Sequence, residues 1–295
     1  MTSVFDFSVG AIQALAQADA ARALAEDMAT GDLTAALIPA DRRARARLLA
    51  REAAVLCGTP WVDAAMRALD PQARLTWHVP EGQSCVADQV VLEIEAQAQA
   101  LLSVERTALN FLQLLSAVAS KTALYVAAVQ GTSTQIVDTR KTLPGLRLAQ
   151  KYAVRMGGGV NHRIGLFDAV LIKENHIAAA GGIREVLARA ATVATRASFI
   201  EIEVETLAQL KEALTCGATM VLLDNMNLPM VHEAVRMNDT LSAARGTRRA
   251  VLEISGGVTL ESVRALALTG VDRISVGALT KDVKAIDFSM RFEGL

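Results

Sequence analysis

Ala169-Val170-Leu171-Ile172-Lys173 and, thirty residues further on, Phe199-Ile200-Glu201-Ile202-Glu203-Val204-Glu205 decide the fold. Each is a short apolar run that ends in charge, and the segment between them has helical composition. Strand, helix and strand in that order make a parallel pair joined by a crossover. The same rhythm governs the second half of the chain, in Gln135-Ile136-Val137-Asp138, Met220-Val221-Leu222-Leu223-Asp224, Val251-Leu252-Glu253-Ile254-Ser255 and Arg273-Ile274-Ser275-Val276-Gly277. Alternating strands and helices predict a parallel sheet covered by helices on its outer face. The polar residues gather at strand C-terminal ends, where barrel enzymes build their sites. Six clear strands are fewer than the eight of a complete barrel. The expectation is therefore an irregular, incomplete α/β barrel, with any further strand short and hidden near residues 150–165.

The first hundred residues read differently. Residues 10–29 have helical spacing and end before Gly31-Asp32. Short strands are predicted over 43–49, 74–79 and 90–95, with turn chemistry at Pro80-Glu81-Gly82, and a long helix over 101–128. The predicted division is an N-terminal α/β domain over residues 1–112 and the barrel over 113–281. No Pro/Ser-rich linker lies between them, so close packing is expected.

Bulk properties narrow the function. The chain has 295 residues, 52% of them hydrophobic, which is enough for a large core. No uninterrupted apolar run reaches the roughly 20 residues of a membrane span. The opening segment, Met1 to Gly10, lacks a basic region followed by an apolar one, so no secretory signal is expected. Cys57, Cys85 and Cys216 form neither a disulfide framework nor a metal knuckle, which fits the cytoplasm. The net charge of −1 argues against a nucleic-acid or membrane binder. Locally the balance is different. Residues 140–173 hold Arg140, Lys141, Arg147, Lys151, Arg155, Arg163, Lys173 and His162, against Asp168 as the single acid. A solvated basic face is the ordinary reading of such a run, but here the basic residues are interleaved with glycines and end in a strand, which favours a polyanion pocket.

Glu201, Glu203 and Glu205 share one face of a strand, since residues two apart point the same way. Three carboxylates cannot enter a dry interior unpartnered. They meet either the basic residues, as an internal salt-bridge network, or a metal-bound substrate, and different members can do each. Asp224 is a second strand-end carboxylate, a helix cap if alone and a Mg²⁺ or sugar-hydroxyl ligand if paired with Glu203. Ser255-Gly256-Gly257 and Ser275-Val276-Gly277 end the last two strands, and a helix follows the first from Leu260 to Leu268. Such loops cradle phosphate with backbone N–H groups, which glycine lets approach closely. Lys173 has two readings, as a binder of an anionic ligand or as a Schiff-base lysine.

The segments Asp138-Thr139-Arg140-Lys141-Thr142-Leu143-Pro144-Gly145-Leu146-Arg147, Lys151-Tyr152-Ala153-Val154, Gly157-Gly158-Gly159-Val160-Asn161-His162-Arg163 and Leu171-Ile172-Lys173-Glu174-Asn175-His176-Ile177 closely resemble the signature of quinolinate phosphoribosyltransferases. The resemblance extends to Gly31-Asp32-Leu33-Thr34, to Glu105-Arg106-Thr107-Ala108-Leu109-Asn110 and to the later strand ends, so it covers nearly the whole chain. Leu143 and Glu174 stand where Thr and Asp are commoner. The resemblance implies an N-terminal sandwich-like α/β domain, to which residues 282–295 return, and an irregular barrel. It implies a homodimer in which one subunit's N-terminal domain covers the other's barrel mouth. It implies that quinolinate and phosphoribosyl pyrophosphate react with loss of CO₂, in NAD biosynthesis, with substrate-associated Mg²⁺ and no organic cofactor. Arg140, His162 and Arg163 would grip the quinolinate carboxylates beside Thr139, joined by Arg106 of the partner. Lys141 and Lys173 would lie at the pyrophosphate and the reacting carboxylate. Glu203 and Asp224 would meet ribose and Mg²⁺, and Ser255, Gly256, Gly257, Ser275, Val276 and Gly277 the 5′-phosphate. Three other readings compete: a paralogue of the molybdenum-locus type acting on another acceptor, a Schiff-base barrel lyase using Lys173, and a non-catalytic sensor of phosphoribosyl pyrophosphate. The sensor should lack the acceptor-binding arginines, which this chain keeps.

Overall fold

A computed structural model describes residues 5–293; Met1 to Val4 of the opening segment and the last two residues of the tail lie outside the described residues. The chain forms two compact units. The first comprises Met1–Ala123, Thr142–Gly158 and Leu279–Leu295, and the second Leu124–Lys141 and Gly159–Ala278.

In the first unit, helix α1 (Val9–Met28) precedes strand β1 (Arg43–Ala50), the short β2 (Ala54–Val55) and helix α2 (Thr59–Leu69). Then come β3 (Arg74–Trp77), β4 (Ser84–Cys85), β5 (Val90–Gln97) and the long α3 (Ala98–Ala128), whose residues from Leu124 belong to the second unit. Helix α4 (Arg147–Met156) and the last strand, β12 (Phe288–Glu293), complete the first unit. Its main sheet is antiparallel in the order β12-β1-β5-β3, and β2 pairs with β4.

The alternation of β1 explains its placement. Ala44, Ala46, Leu48 and Ala50 are buried, while Arg43, Arg45 and Arg47 face out. Arg45 and Arg47 stand directly opposite Glu95 and Glu93 of β5 and pair with them at 2.7 and 2.9 Å. Such exposed cross-strand pairs contribute about 0.2–1 kcal/mol each and pin the register. Helix α3 is long and apolar enough by composition to cross a bilayer. Here its Leu101, Val104, Ala108, Leu109 and Leu112 belong to the core of the first unit. Trp61 of α2 is fully buried, with its indole N–H donating to Asp19 Oδ2 at 2.9 Å.

The second unit carries the alternation read from the sequence. Its elements are β6 (Gln135–Val137), β7 (Val170–Ile172), α5 (Glu174–Ala180), α6 (Ile183–Val193), β8 (Ile200–Val204), α7 (Leu207–Thr215) and β9 (Met220–Asp224). They continue through α8 (Leu228–Arg245), β10 (Val251–Ser255), α9 (Leu260–Ala267), β11 (Arg273–Ser275) and the turn of helix α10 (Ala278–Lys281), which begins at the unit's last residue. All six strands are parallel, in the order β6-β11-β10-β9-β8-β7. Val160 adds a single parallel bridge to Val137 on the β6 side. The extra strand expected near 150–165 is reduced to that bridge, and the barrel is incomplete. Ile202, Val221, Leu223, Leu252 and Ile274 are fully buried, each stabilising the unit by about 1.5–3 kcal/mol. Helix caps follow the strand ends at once. Thr206 and Gln209 form a capping box for α7, Asn227 caps α8, and Thr259 with Ser262 caps α9. These short, capped connections fix the strand-end side chains in place.

Candidate active site

Strand C-terminal ends open on a cavity of about 640 Å³ whose lining residues all belong to the second unit. The loop after β6 brings Thr139, Arg140 and Lys141 to it, with the main-chain N–H of Lys141 donating to Thr139 Oγ1 at 3.1 Å. Arg163 lines the same cavity, and its guanidinium reaches the Ala169 carbonyl at 3.3 Å. Burial, and then the neighbouring Arg140 charge, push the Arg163 guanidinium below its ordinary pKa. The Arg140 Nε is buried without a hydrogen-bond partner among the described residues. Two neighbouring guanidiniums, one with an unused donor, suit an anionic ligand.

Opposite them, Lys173 Nζ lies 3.1 Å from Glu203 Oε2. Lys173 is half exposed and carboxylate-paired, unlike the desolvated free amine of a Schiff-base lysine. Asp224 ends β9 and lines the cavity, accepting from Asn225 Nδ2 at 2.9 Å. Helix α8 is capped by Asn227, which frees Asp224 from the helix-cap alternative. Glu203 and Asp224 thus offer hard oxygen donors of the kind Mg²⁺ takes.

Glycine is required in the turn after β10. Gly256 has φ +99°, and a Cβ there would clash with Asn225 Oδ1. Among the described residues the main-chain N–H groups of Gly256, Gly257 and Gly277 donate to no protein acceptor. The Lys141 stem passes over Gly277, where a Cβ would stand 3.2 Å from its Cδ. Ser275 lines the cavity too, with its hydroxyl donated to Glu253, and the Val276 N–H donates to the Val137 carbonyl at 2.9 Å. The free donor of that turn is Gly277.

The two carboxylates of β8 and Glu205, just past its end, separate by depth. Glu205 is exposed, and repulsion from Glu174 raises its pKa. Glu203 lines the cavity, and Glu201 is fully buried beneath it. Around Glu201 lie His162, with Nε2 2.8 Å from Glu201 Oε2, and Glu253, whose Oε1 is 3.7 Å from the same nitrogen. Arg273 Nε sits 3.0 Å from Glu253 Oε2. Glu253 was missed in the sequence reading, although a lone carboxylate inside the apolar run Val251-Leu252-Glu253-Ile254 is a signal of its own. His162, Glu201 and Glu253 have metal-like spacing, their ligand atoms lying within 4.8 Å of one another. However, the main-chain N–H of Arg163 donates to His162 Nδ1 at 2.7 Å, which leaves the ring proton on Nε2. A protonated Nε2 and the Arg273 guanidinium make this a proton-bearing ion cluster.

Burial pushes Glu201 and Glu253 up to about 7. For Glu253 the folded pKa therefore exceeds the unfolded one. Its stabilising contribution is fully present below about pH 4.5 and is lost as pH rises through about 7, a change of about 3 kcal/mol. Glu253→Gln should flatten the fall in stability between about pH 5 and about pH 8, whatever its absolute stability. Thermal denaturation across that range checks this, and parallel wild-type and variant curves would contradict it.

Arg106 is not among the residues lining this cavity. It lies on α3 and, with Arg22, Glu26, Asp27 and Asn110, lines a separate cavity of about 560 Å³ within the first unit.

The sequence matches the quinolinate phosphoribosyl transferase N-terminal domain over residues 32–116 and the C-terminal domain over residues 118–291. It is 41% identical over 276 residues to the nicotinate-nucleotide pyrophosphorylase (carboxylating) of Mycobacterium leprae, covering 91% of this chain and 94% of that one. It is 39% identical over 265 residues to the probable nicotinate-nucleotide pyrophosphorylase (carboxylating) of Bacillus subtilis, covering 90% and 89%. The solved nicotinate-nucleotide pyrophosphorylase of Francisella tularensis superposes with a TM-score of 0.89 at 41% identity, over 99% of this chain and 100% of that chain. Matched in order by both family domains and superposed on a solved relative over almost its whole length, the chain belongs to the quinolinate phosphoribosyl transferase family.

Proposed function

We infer that this chain joins quinolinate to phosphoribosyl pyrophosphate, releasing pyrophosphate and CO₂ and giving nicotinate mononucleotide. The observation that carries the reading is the pair Arg140 and Arg163, crowded in one cavity with the Arg140 Nε buried and unpartnered. Two adjacent carboxylates on a planar ring match two guanidiniums better than they match point-charge lysines. Facing that pair, Glu203, Asp224 and the amides of Gly256, Gly257 and Gly277 suit a ribose phosphate.

The chemistry follows from this division of charge. The pyridine nitrogen bonds to ribose C1 as the bond from C1 to pyrophosphate breaks, so positive charge grows on the sugar and negative charge on the leaving group. Carboxylates of Glu203 and Asp224 flank the sugar, and Lys141 and Lys173 neutralise the leaving group and the reacting carboxylate. No protein nucleophile is needed. Mg²⁺ travelling with phosphoribosyl pyrophosphate would be held by Glu203 and Asp224, and when bound it supplies further charge neutralisation. Once the ring is a pyridinium it withdraws the electrons of the bond to the 2-carboxylate, CO₂ leaves, and the ring carbon takes up a proton. Arg106, outside this cavity, acts on the acceptor of the partner subunit in a homodimer with shared sites.

The test is incubation with quinolinate, phosphoribosyl pyrophosphate and Mg²⁺, following nicotinate mononucleotide. Nicotinate has one carboxylate and loses one charge-assisted pair, about 2–5 kcal/mol, so it should be at least about 30-fold poorer in kcat/KM. Comparable turnover of nicotinate would sink the assignment.

A further inference from the structure

We propose that Glu201 is a positioning residue that aims Arg163 through the imidazole of His162, an inference that rests on the acceptor site described above. The contacts form a continuous chain. Buried Asp138, at the end of β6, accepts the main-chain N–H of His162 at 2.8 Å and the Asn161 side-chain amide at 2.7 Å. This anchors the segment that carries Arg163. The His162 ring then folds back on the same segment, its Nδ1 accepting the Arg163 main-chain N–H at 2.7 Å. An accepting ring nitrogen carries no proton, so the proton is on Nε2. Nε2 in turn points to Glu201 Oε2 at 2.8 Å. Phe199 packs edge-on against the ring, with centroids 5.3 Å apart, and limits its rotation.

Both ring nitrogens are therefore engaged inside the protein, and His162 serves the acceptor through its neighbour. The link from Glu201 to Arg163 is the tautomer. Without an acceptor at Glu201, the nearest remaining carboxylate oxygen is Glu253 Oε1 at 3.7 Å, beyond hydrogen-bond distance, so the buried Nε2–H is unsatisfied, a costly state that the ring relieves by moving its proton to Nδ1. A protonated Nδ1 opposes the Arg163 N–H instead of accepting it. The main chain from which the guanidinium projects then loses its anchor, and the single 3.3 Å hydrogen bond from the guanidinium to the Ala169 carbonyl is left to hold it. Glu201 also explains why one β8 carboxylate lies fully buried below the cavity while the next, Glu203, lines it.

The experiment compares Glu201→Leu with Glu201→Gln. Leucine offers no acceptor, so the KM for quinolinate should rise at least about tenfold while the KM for phosphoribosyl pyrophosphate stays within about twofold. Glutamine can still accept from Nε2–H and should stay within about threefold of wild type for both. A merely structural or charge role predicts the opposite pattern: either both variants fail alike, or both KM values move. A second measurement needs neither substrate nor a folded leucine variant. With ¹⁵N-labelled histidine, the ring signals of His162 are identified among the four histidines by their loss in His162→Gln. Wild type should show a protonated Nε2 and an unprotonated Nδ1, and Glu201→Gln should keep that pattern. A wild-type Nδ1–H tautomer, or an unchanged quinolinate KM in a folded Glu201→Leu, overturns the proposal. If wild type fails to turn over quinolinate at all, the functional reading falls, and the tautomer measurement still decides the Glu201–His162–Arg163 link.

Discussion

Asp224→Ala is expected to slow phosphoribosyl transfer by about 10²- to 10³-fold, leaving the KM for quinolinate near its wild-type value. Asp224 ends β9 and lines the cavity, and its neighbour Asn225 occupies only part of the carboxylate. With α8 capped by Asn227, removing Asp224 takes away charge facing the sugar without uncapping a helix. Stabilisation of charge that develops only in the transition state appears in kcat rather than in acceptor binding. Glu203→Ala should also be slow, with an added effect, because it releases Lys173 from its 3.1 Å ion pair. Steady-state rates with each substrate varied in turn separate the two terms. A near-wild-type kcat in Asp224→Ala would reduce that residue to holding Asn225, whose φ of +53° lies in the left-handed region.

The barrel was readable because each strand announces itself locally, as an apolar run ending in a polar group before a helix. The β8 carboxylates were readable as a shared face, since period two is a property of any strand. What no local pattern contains is depth. Glu201, Glu203 and Glu205 look alike in sequence, yet one is buried against His162, one lines the cavity and one is exposed. Depth depends on where the segment after the Val160 bridge places His162 and where β10 places Glu253. The basic stretch from 140 to 173 shows the same limit. Arg140, Lys141, Arg163 and Lys173 line the cavity, whereas Arg147, Lys151 and Arg155 sit four residues apart along α4 in the first unit. Lys151 is fully buried there, and Arg155 stacks on Phe7 with its guanidinium carbon 5.1 Å from the ring centroid. Composition counted seven like charges together; helix α4 takes three of them into the first unit. Helix α2 escaped the reading altogether, although Pro60 near its start and the αL Gly58 before it are usable signals.

Mixing two inactive variants should restore about a quarter of wild-type activity if the site is shared between subunits. Every cavity-lining residue assigned a role above lies in the second unit, and Arg106, which the family resemblance gives to the acceptor, lies on α3 in the first. A twofold partner can bring Arg106 to the other subunit's acceptor. Arg106→Ala and Lys173→Ala are then each inactive, because every homodimer site lacks one group. Unfolded together and refolded as an equal mixture, random pairing makes about half the dimers mixed. Each mixed dimer holds one site with both defects and one with neither, so about a quarter of all sites are intact. If Arg106 instead serves its own chain, each site of a mixed dimer keeps one defect and the mixture stays dead. Subunit exchange is verified independently, by mass spectrometry of the mixed species. With exchange established, a dead mixture excludes the shared site, and activity near a quarter of wild type makes the dimer obligatory for catalysis.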